Sequence, residues 1–257
     1  MQELTFWDHI EDLRHMLFRV LGALSLASIA FFIFMPKIFD SVVMAPCFGD
    51  FPIYRLFCDI TKHFTDDTTF CDQSFQIQII NIRLAAQFMI HMQISFLFAL
   101  VVCIPYLLFE IWKFIAPALY DKEKSSFRLA FSLSSILFYA GVCLSYFVVF
   151  PITLRFLAGY QITSLVSNQL SLDSYISNFI TLNLLMGLVF ELPMLALVLS
   201  KLGIVKRRFF SKFRKHAIVV LLILAAVITP TGDPFTLMIV ALPLYILYEI
   251  SALLVKK

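Results

Sequence analysis

The residues of this chain best suited to chemistry are carboxylates set beside long apolar runs. Asp12 precedes the first such run, and Asp121 and Glu123 precede the third, next to Lys122 and Lys124. Glu191 lies within the fourth, in Phe-Glu-Leu-Pro, and Glu249 stands near the end of the last. A pair of carboxylates at a membrane surface can accept guanidinium groups in the two-pronged geometry that arginine offers and lysine lacks. Equally, Asp12, Asp121 and Glu123 suffice as solvated partners of Arg14, Lys122 and Lys124, a role of little energetic weight. Glu191 is a different case. An ionised carboxylate deep in a membrane helix costs roughly 2.5–3.5 kcal/mol on insertion scales, so it must be neutral, paired or facing water. Its other reading is a boundary carboxylate, although nine residues still separate it from Ser200. Glu249 divides evenly between a functional and a boundary role. No nucleophile with a base, no metal-ligand spacing and no glycine-rich phosphate loop accompanies these groups. The expectation is therefore a protein that is not an enzyme and holds no metal or cofactor.

The elements that carry these residues follow from composition. The 257 residues are 61% apolar and 14% charged, against roughly 45–50% and about 25% in soluble domains. The apolar runs are continuous rather than alternating, which favours membrane-spanning helices over a β-barrel. No cleavable signal peptide is evident at the N-terminus. Instead Leu4, Phe6, Trp7, Ile10, Leu13, Met16 and Leu17 recur at helical spacing among Asp8, Glu11, Asp12 and Arg14. That pattern predicts an amphipathic helix lying at the interface before the chain turns inward.

Six spans are predicted, at about 17–35, 84–109, 129–150, 174–200, 216–229 and 235–255, forming a single all-α integral membrane domain over 1–257. Pro36 and Pro151 are expected to end the first and third, and Pro243 to interrupt the sixth. Pro105, Pro193 and Pro243 are expected to kink helices whose freed carbonyls are satisfied by neighbours. The fifth apolar run, Ala217 to Ile228, has only 12 residues, roughly 18 Å of helix against a core of about 30 Å. Six spans place both termini on one side. The N-terminus, the 113–128 and 201–215 loops and the tail hold 15 of the 20 Lys and Arg residues, leaving 5 opposite. The positive-inside rule then puts both termini in the cytoplasm.

The outer loop, 37–83, carries six Asp and no Glu, together with Cys47, Cys58 and Cys71. Three cysteines permit one disulfide with one thiol left over, should the compartment be oxidising. The most distinctive connection is Phe109 to Ser126, on the cytoplasmic side. Its Phe109, Trp112, Phe114 and Tyr120 read either as an interfacial aromatic belt or, with the carboxylates beyond them, as a docking surface for something basic followed by something apolar.

These residues resemble a known family. His9-Ile-Glu-Asp12-Leu-Arg14 is similar to the N-terminal H-L-x-E-L-R motif of TatC, the polytopic subunit of the twin-arginine protein translocase. Ile104-Pro105, then Trp112-Lys-Phe114-Ile-Ala-Pro117-Ala-Leu-Tyr120 and Glu123, resembles that family's most recognisable segment. Phe147-Val-Val-Phe-Pro151, Phe190-Glu191-Leu-Pro193, Thr229-Pro230 with Asp233, and Pro243 with Tyr245 and Glu249 follow in the family's order. The resemblance implies a cupped fold of six helices with two short final ones, in the bacterial inner membrane. It implies a receptor for folded cargo bearing twin-arginine signal peptides, whose arginines bind near Asp12 and Glu123 with support from Arg14, Phe114 and Pro117. It further implies that Glu191, Asp233 and Glu249 serve peptide insertion or partner contacts. The expected partners are small single-span subunits of the TatA and TatB types and membrane lipid, in an oligomeric complex driven by the proton motive force, with no nucleic acid involved. The chain departs from the family pattern at Asp12, where the motif has Glu, and in its longer outer loop. The competing reading is a proton-coupled secondary transporter using Glu191, although neither an internal repeat nor an intramembrane polar cluster is evident.

Overall fold

The structure, a computed structural model, describes residues 6–64, 77–115, 121–161, 163, 168–201, 210, 212–229 and 233–255. Its helices are α1 (Phe6–Ile38), α2 (Pro52–Phe64), α3 (Ala86–Ile115), α4 (Asp121–Leu144), α5 (Phe150–Gly159), α6 (Leu172–Val189), α7 (Leu192–Lys201), α8 (Arg214–Ile228) and α9 (Pro234–Leu254). Two short strands, β1 (Ile79–Ile80) and β2 (Leu170–Ser171), pair in parallel with Ile79 opposite Leu170. Five stretches are long and apolar enough to cross a membrane: Ile10–Cys47, Ala86–Phe114, Phe131–Gly159, Leu172–Ser200 and Pro234–Leu253. The chain is thus a multi-pass helical membrane protein. Helix α8, with 15 residues, reaches only about 22 Å, in keeping with the short fifth run seen in the sequence.

Several proline stops do not operate as predicted. Helix α1 does not end at Pro36 but continues through it to Ile38 and then into a π-helical turn, Phe39–Val43. Pro36 has no N–H to give the carbonyl four residues back, that of Phe32. The imidazole Nε2 of His91, on α3, lies 2.8 Å from that oxygen and stacks on the Phe32 ring at 4.0 Å. Pro105 repeats the device inside α3. Its orphaned carbonyl, that of Val101, accepts the Tyr139 hydroxyl of α4 at 3.1 Å. The expectation that neighbouring helices satisfy freed carbonyls holds at Pro105, and at Pro36 the same contact explains why the helix survives. Pro151 does not stop the third span either. A π-helical turn, Ser145–Val149, precedes it, and Pro151 falls in the first turn of α5, where a missing N–H costs least. Helix α9 passes through Pro243 and runs for 21 residues, about 31 Å. Of the two final helices only α8 is short. The predicted fourth span is instead broken in two at Phe190–Glu191, between α6 and α7, with Pro193 in the first turn of α7.

Helix α1 packs chiefly on α3, α4 on α6, and α9 on both α7 and α8. Glycine lets α4 and α6 approach closely. A methyl group at Gly141 would lie 2.7 Å from the Met186 carbonyl oxygen and from the Phe190 ring. The expected polar outer loop is largely structured and folds back as a cap. Its bends leave carbonyls without helical partners, and three tyrosine hydroxyls supply donors. Tyr54 donates to the Pro46 and Pro151 carbonyls at 2.9 and 3.0 Å, Tyr146 to Val42 at 2.8 Å, and Tyr175 to Val43. The Arg155 guanidinium lies 4.7 Å from the centre of the Tyr54 ring. Burial pushes the Tyr54 hydroxyl far above the ordinary phenol range. Arg83, just after β1, pairs with Asp173 at the start of α6 and so ties the loop to the helical body. Cys58 is disulfide-bonded, whereas Cys47, Cys103 and Cys143 are free thiols. Cys71 lies outside the described residues.

Candidate functional site

At the end of the molecule opposite this cap, the start of α1 meets the end of α3. Glu11 is held by its own helix: Arg14 pairs with it at 3.1 Å and His15 lies 3.7 Å away. Those contacts leave Asp12 as the available carboxylate. It is exposed, with no hydrogen bond or ion pair among the described residues. Arg14 is exposed too, so it and Asp12 stand together at the surface of one helical turn. Phe114 lies half-buried in the last turn of α3. Two residues earlier the Trp112 ring meets Phe131 of α4 at 5.7 Å. Pro117 is outside the described residues, and Glu123 lies in the first turns of α4 with its side chain outside them.

The residue that sequence reasoning missed is Glu110. It is 4% exposed, and its Oε2 takes the Arg19 Nη2 at 2.9 Å and Nε at 3.0 Å. At the edge of an aromatic stretch a carboxylate reads as solvated. Two signals were available: Glu110 closes an otherwise apolar run from Ile104, and Arg19 stands one turn inside the first apolar segment. Opposite charges in two adjoining apolar segments invite pairing, because each would otherwise be desolvated alone.

Glu191 occupies the break between α6 and α7, at the α4 side of the molecule. The Ser134 hydroxyl of α4 donates to its Oε2. Its Oε1 is buried without a partner among the described residues. An unsatisfied buried carboxylate oxygen costs more than a solvated one. Asp233 and Glu249 do not join it. Asp233 caps the start of α9, accepting the Thr236 N–H at 2.7 Å. Glu249, near the other end of α9, accepts Arg214 at 2.9 Å and the Tyr245 hydroxyl at 3.2 Å. Tyr248 donates to the Phe210 carbonyl at 2.8 Å beside it. The three carboxylates grouped by sequence thus separate into one helix break, one helix cap and one interhelical clasp. Among the described residues no cluster of three or more His, Cys, Asp or Glu side chains could hold a metal ion.

The chain is similar to known proteins in both sequence and fold. The family model for the Sec-independent protein translocase protein (TatC) matches residues 8–243. The TatC protein of Blattabacterium sp. subsp. Periplaneta americana is 36% identical over 250 residues, covering 97% of this chain and 94% of that protein. TatCy of Bacillus subtilis is 34% identical over 185 residues, 72% of each chain. Among solved structures, the crystal structure of the twin arginine translocase receptor TatC in DDM superposes with a TM-score of 0.75 at 31% identity, over 97% of this chain and all of that one. A second crystal structure of the same receptor gives 0.73 at 31% identity, over 96% and 97%. With matches this extensive in both sequence and fold, the chain belongs to the TatC family and is a subunit of a Sec-independent protein translocase.

Proposed function

We propose that this protein is the receptor for twin-arginine signal peptides and the core of a translocase that exports folded proteins using the proton motive force. The observation that carries the reading is Asp12, exposed and without a partner among the described residues while the adjacent Glu11 pairs with Arg14. A twin-arginine peptide requires fixed acceptors for guanidinium groups and an apolar landing beyond them. Asp12 offers one acceptor, with Arg14 beside it, and Glu123 the second. Phe114 and Pro117 belong to the aromatic segment on which the apolar part of the peptide first lands. The peptide then extends toward Glu191, whose unused oxygen suits a polar contact from the peptide or from a partner helix. Asp233 and Glu249 hold α9 in place for the small TatA- and TatB-type subunits. Short α8 would thin the bilayer locally where they assemble.

In this reading α8 is the fifth of six spans, both termini are cytoplasmic and the bilayer is the bacterial inner membrane. The uneven Lys and Arg distribution and the antiparallel packing of α1 on α3 support that orientation. Two solved relatives are described as twin arginine translocase receptors, which adds weight to the peptide-binding role.

The test is photo-crosslinking of the protein in vesicles to a peptide with paired arginines before an apolar run, alongside a paired-lysine version. Lysine keeps the charge but loses the planar fork. Crosslinking that requires arginine and is lost in Glu123→Ala supports the receptor. Equal crosslinking of both peptides, insensitive to Glu123, overturns it and returns attention to solute transport through Glu191.

A further inference from the structure

The Arg19–Glu110 pair has no part in the acceptor set above, yet it is itself a bound guanidinium. Glu110 is almost fully buried, whereas the side chain of its partner Arg19 is 46% exposed. Both donating nitrogens of Arg19 converge on one oxygen, Oε2. A guanidinium engages a carboxylate best through two parallel bonds, one to each oxygen. The resident guanidinium therefore does not use the two-oxygen geometry, and the Tyr106 hydroxyl one turn earlier on α3 also hydrogen-bonds Glu110. Its position also matters. Asp12 and Arg19 are seven residues apart, two turns along the same face of α1, about 10 Å. Glu110 and Phe114 are four apart on one face of α3. The free carboxylate, the aromatic residue and the occupied carboxylate thus lie along a single α1–α3 seam.

We propose that Glu110 is a further guanidinium acceptor for the signal peptide, and that Arg19 is a resident occupant that yields Oε2 when a peptide arginine arrives. This inference rests on the signal-peptide reading above. Physically it is an exchange of one charge-assisted pair for another. The buried carboxylate is never left without a cation, which avoids the penalty of an uncompensated buried charge. Arg19, already half in solvent, moves outward at small cost. The exchange also supplies selectivity. A lysine ammonium is a point charge and gains nothing from the second oxygen, so it displaces Arg19 poorly.

The test measures binding of labelled twin-arginine and twin-lysine peptides, each preceding an apolar run, to the full-length protein in vesicles. Glu110→Gln keeps the shape but removes the charge. It should weaken twin-arginine binding by about tenfold or more, the effect of one hydrogen bond to a charged group, and shrink the preference over twin-lysine. Arg19→Gln empties the acceptor and should tighten twin-arginine binding severalfold, and the double variant should lose that gain. Arg19→Lys keeps a cation over Glu110 should Arg19→Gln fail to fold, and should still bind the twin-arginine peptide more tightly than wild type. The inference is overturned if Glu110→Gln leaves affinity and preference unchanged. It is also overturned if Arg19→Lys and Glu110→Gln both weaken binding while the exchanged pair, Arg19→Glu with Glu110→Arg, restores it, for then the pair is only a clamp between helices. Failure of the underlying reading looks different: wild type itself would not distinguish arginine from lysine.

Discussion

The two ends of this molecule solve opposite problems with similar residues. At the capped end, Tyr54, Tyr146 and Tyr175 direct their hydroxyls into backbone carbonyls of bends and π turns, and the Phe150 ring packs edge to face on Tyr175 and Phe179 at 5.3 and 5.2 Å. At the opposite end Asp12 and Arg14 project into solvent, Phe114 is half-covered, and the deeply buried Glu110 is held by a half-exposed arginine. The cap uses its polar atoms up in holding the chain. The α1–α3 end keeps polar atoms available. In the proposed receptor reading, a cap whose polar atoms are satisfied lies behind the acceptor surface, an arrangement that presents a site without reorganising the scaffold.

That contrast is open to direct attack. The largest effect is expected at the open end: Glu123→Ala should abolish export of a twin-arginine substrate while the protein still accumulates in the membrane, read by cargo localisation beside an immunoblot. Undiminished export would remove Glu123 from the acceptor set. Next is the helix break. Glu191→Ala should reduce export and recovery of the small subunits in pull-downs more than it reduces expression, because an unsatisfied carboxylate oxygen is lost without loss of a core side chain. A variant that assembles and exports normally would return Glu191 to a structural role.

At the cap, Tyr54→Phe strands two buried carbonyls, those of Pro46 and Pro151. It should cost about 1–3 kcal/mol, visible as a lower unfolding temperature in detergent, with twin-arginine peptide affinity unchanged. A change in affinity without a change in stability would contradict the division between the two ends. The smallest effect is expected at the α8–α9 clasp. Arg214 is more than half exposed, so Arg214→Gln should shift stability by about 1 kcal/mol or less, within a few degrees in the same melt.

How much of this was legible beforehand differs by level. The helical membrane class, the short fifth run and the segments that resemble TatC could be read from apolar continuity and motif spacing, since both are local properties. The proline stops could not. Pro36 and Pro151 read as terminators because a proline removes a backbone donor. Whether that loss ends a helix depends on who else can reach the freed carbonyl, and His91, 55 residues away from Pro36 in sequence, is invisible to a local pattern. The same holds for the site. Asp12 was recognisable from its motif, but that Glu11 is paired and Asp12 has no partner among the described residues required the geometry of one helical turn. Asp233 and Glu249 read as intramembrane polar groups; the fold turned one into a cap and the other into a clasp.

By itself, then, the sequence determined the solvent this protein folds in, the family it belongs to and the residue types along its seams, because hydrophobicity and motif order survive without knowledge of contacts. Only the tertiary structure decided which helices pass through their prolines, which carboxylate stands free and which is held. Those outcomes depend on long-range partners: in a medium without water, every buried donor, acceptor and charge takes its role from whichever group the fold brings within reach.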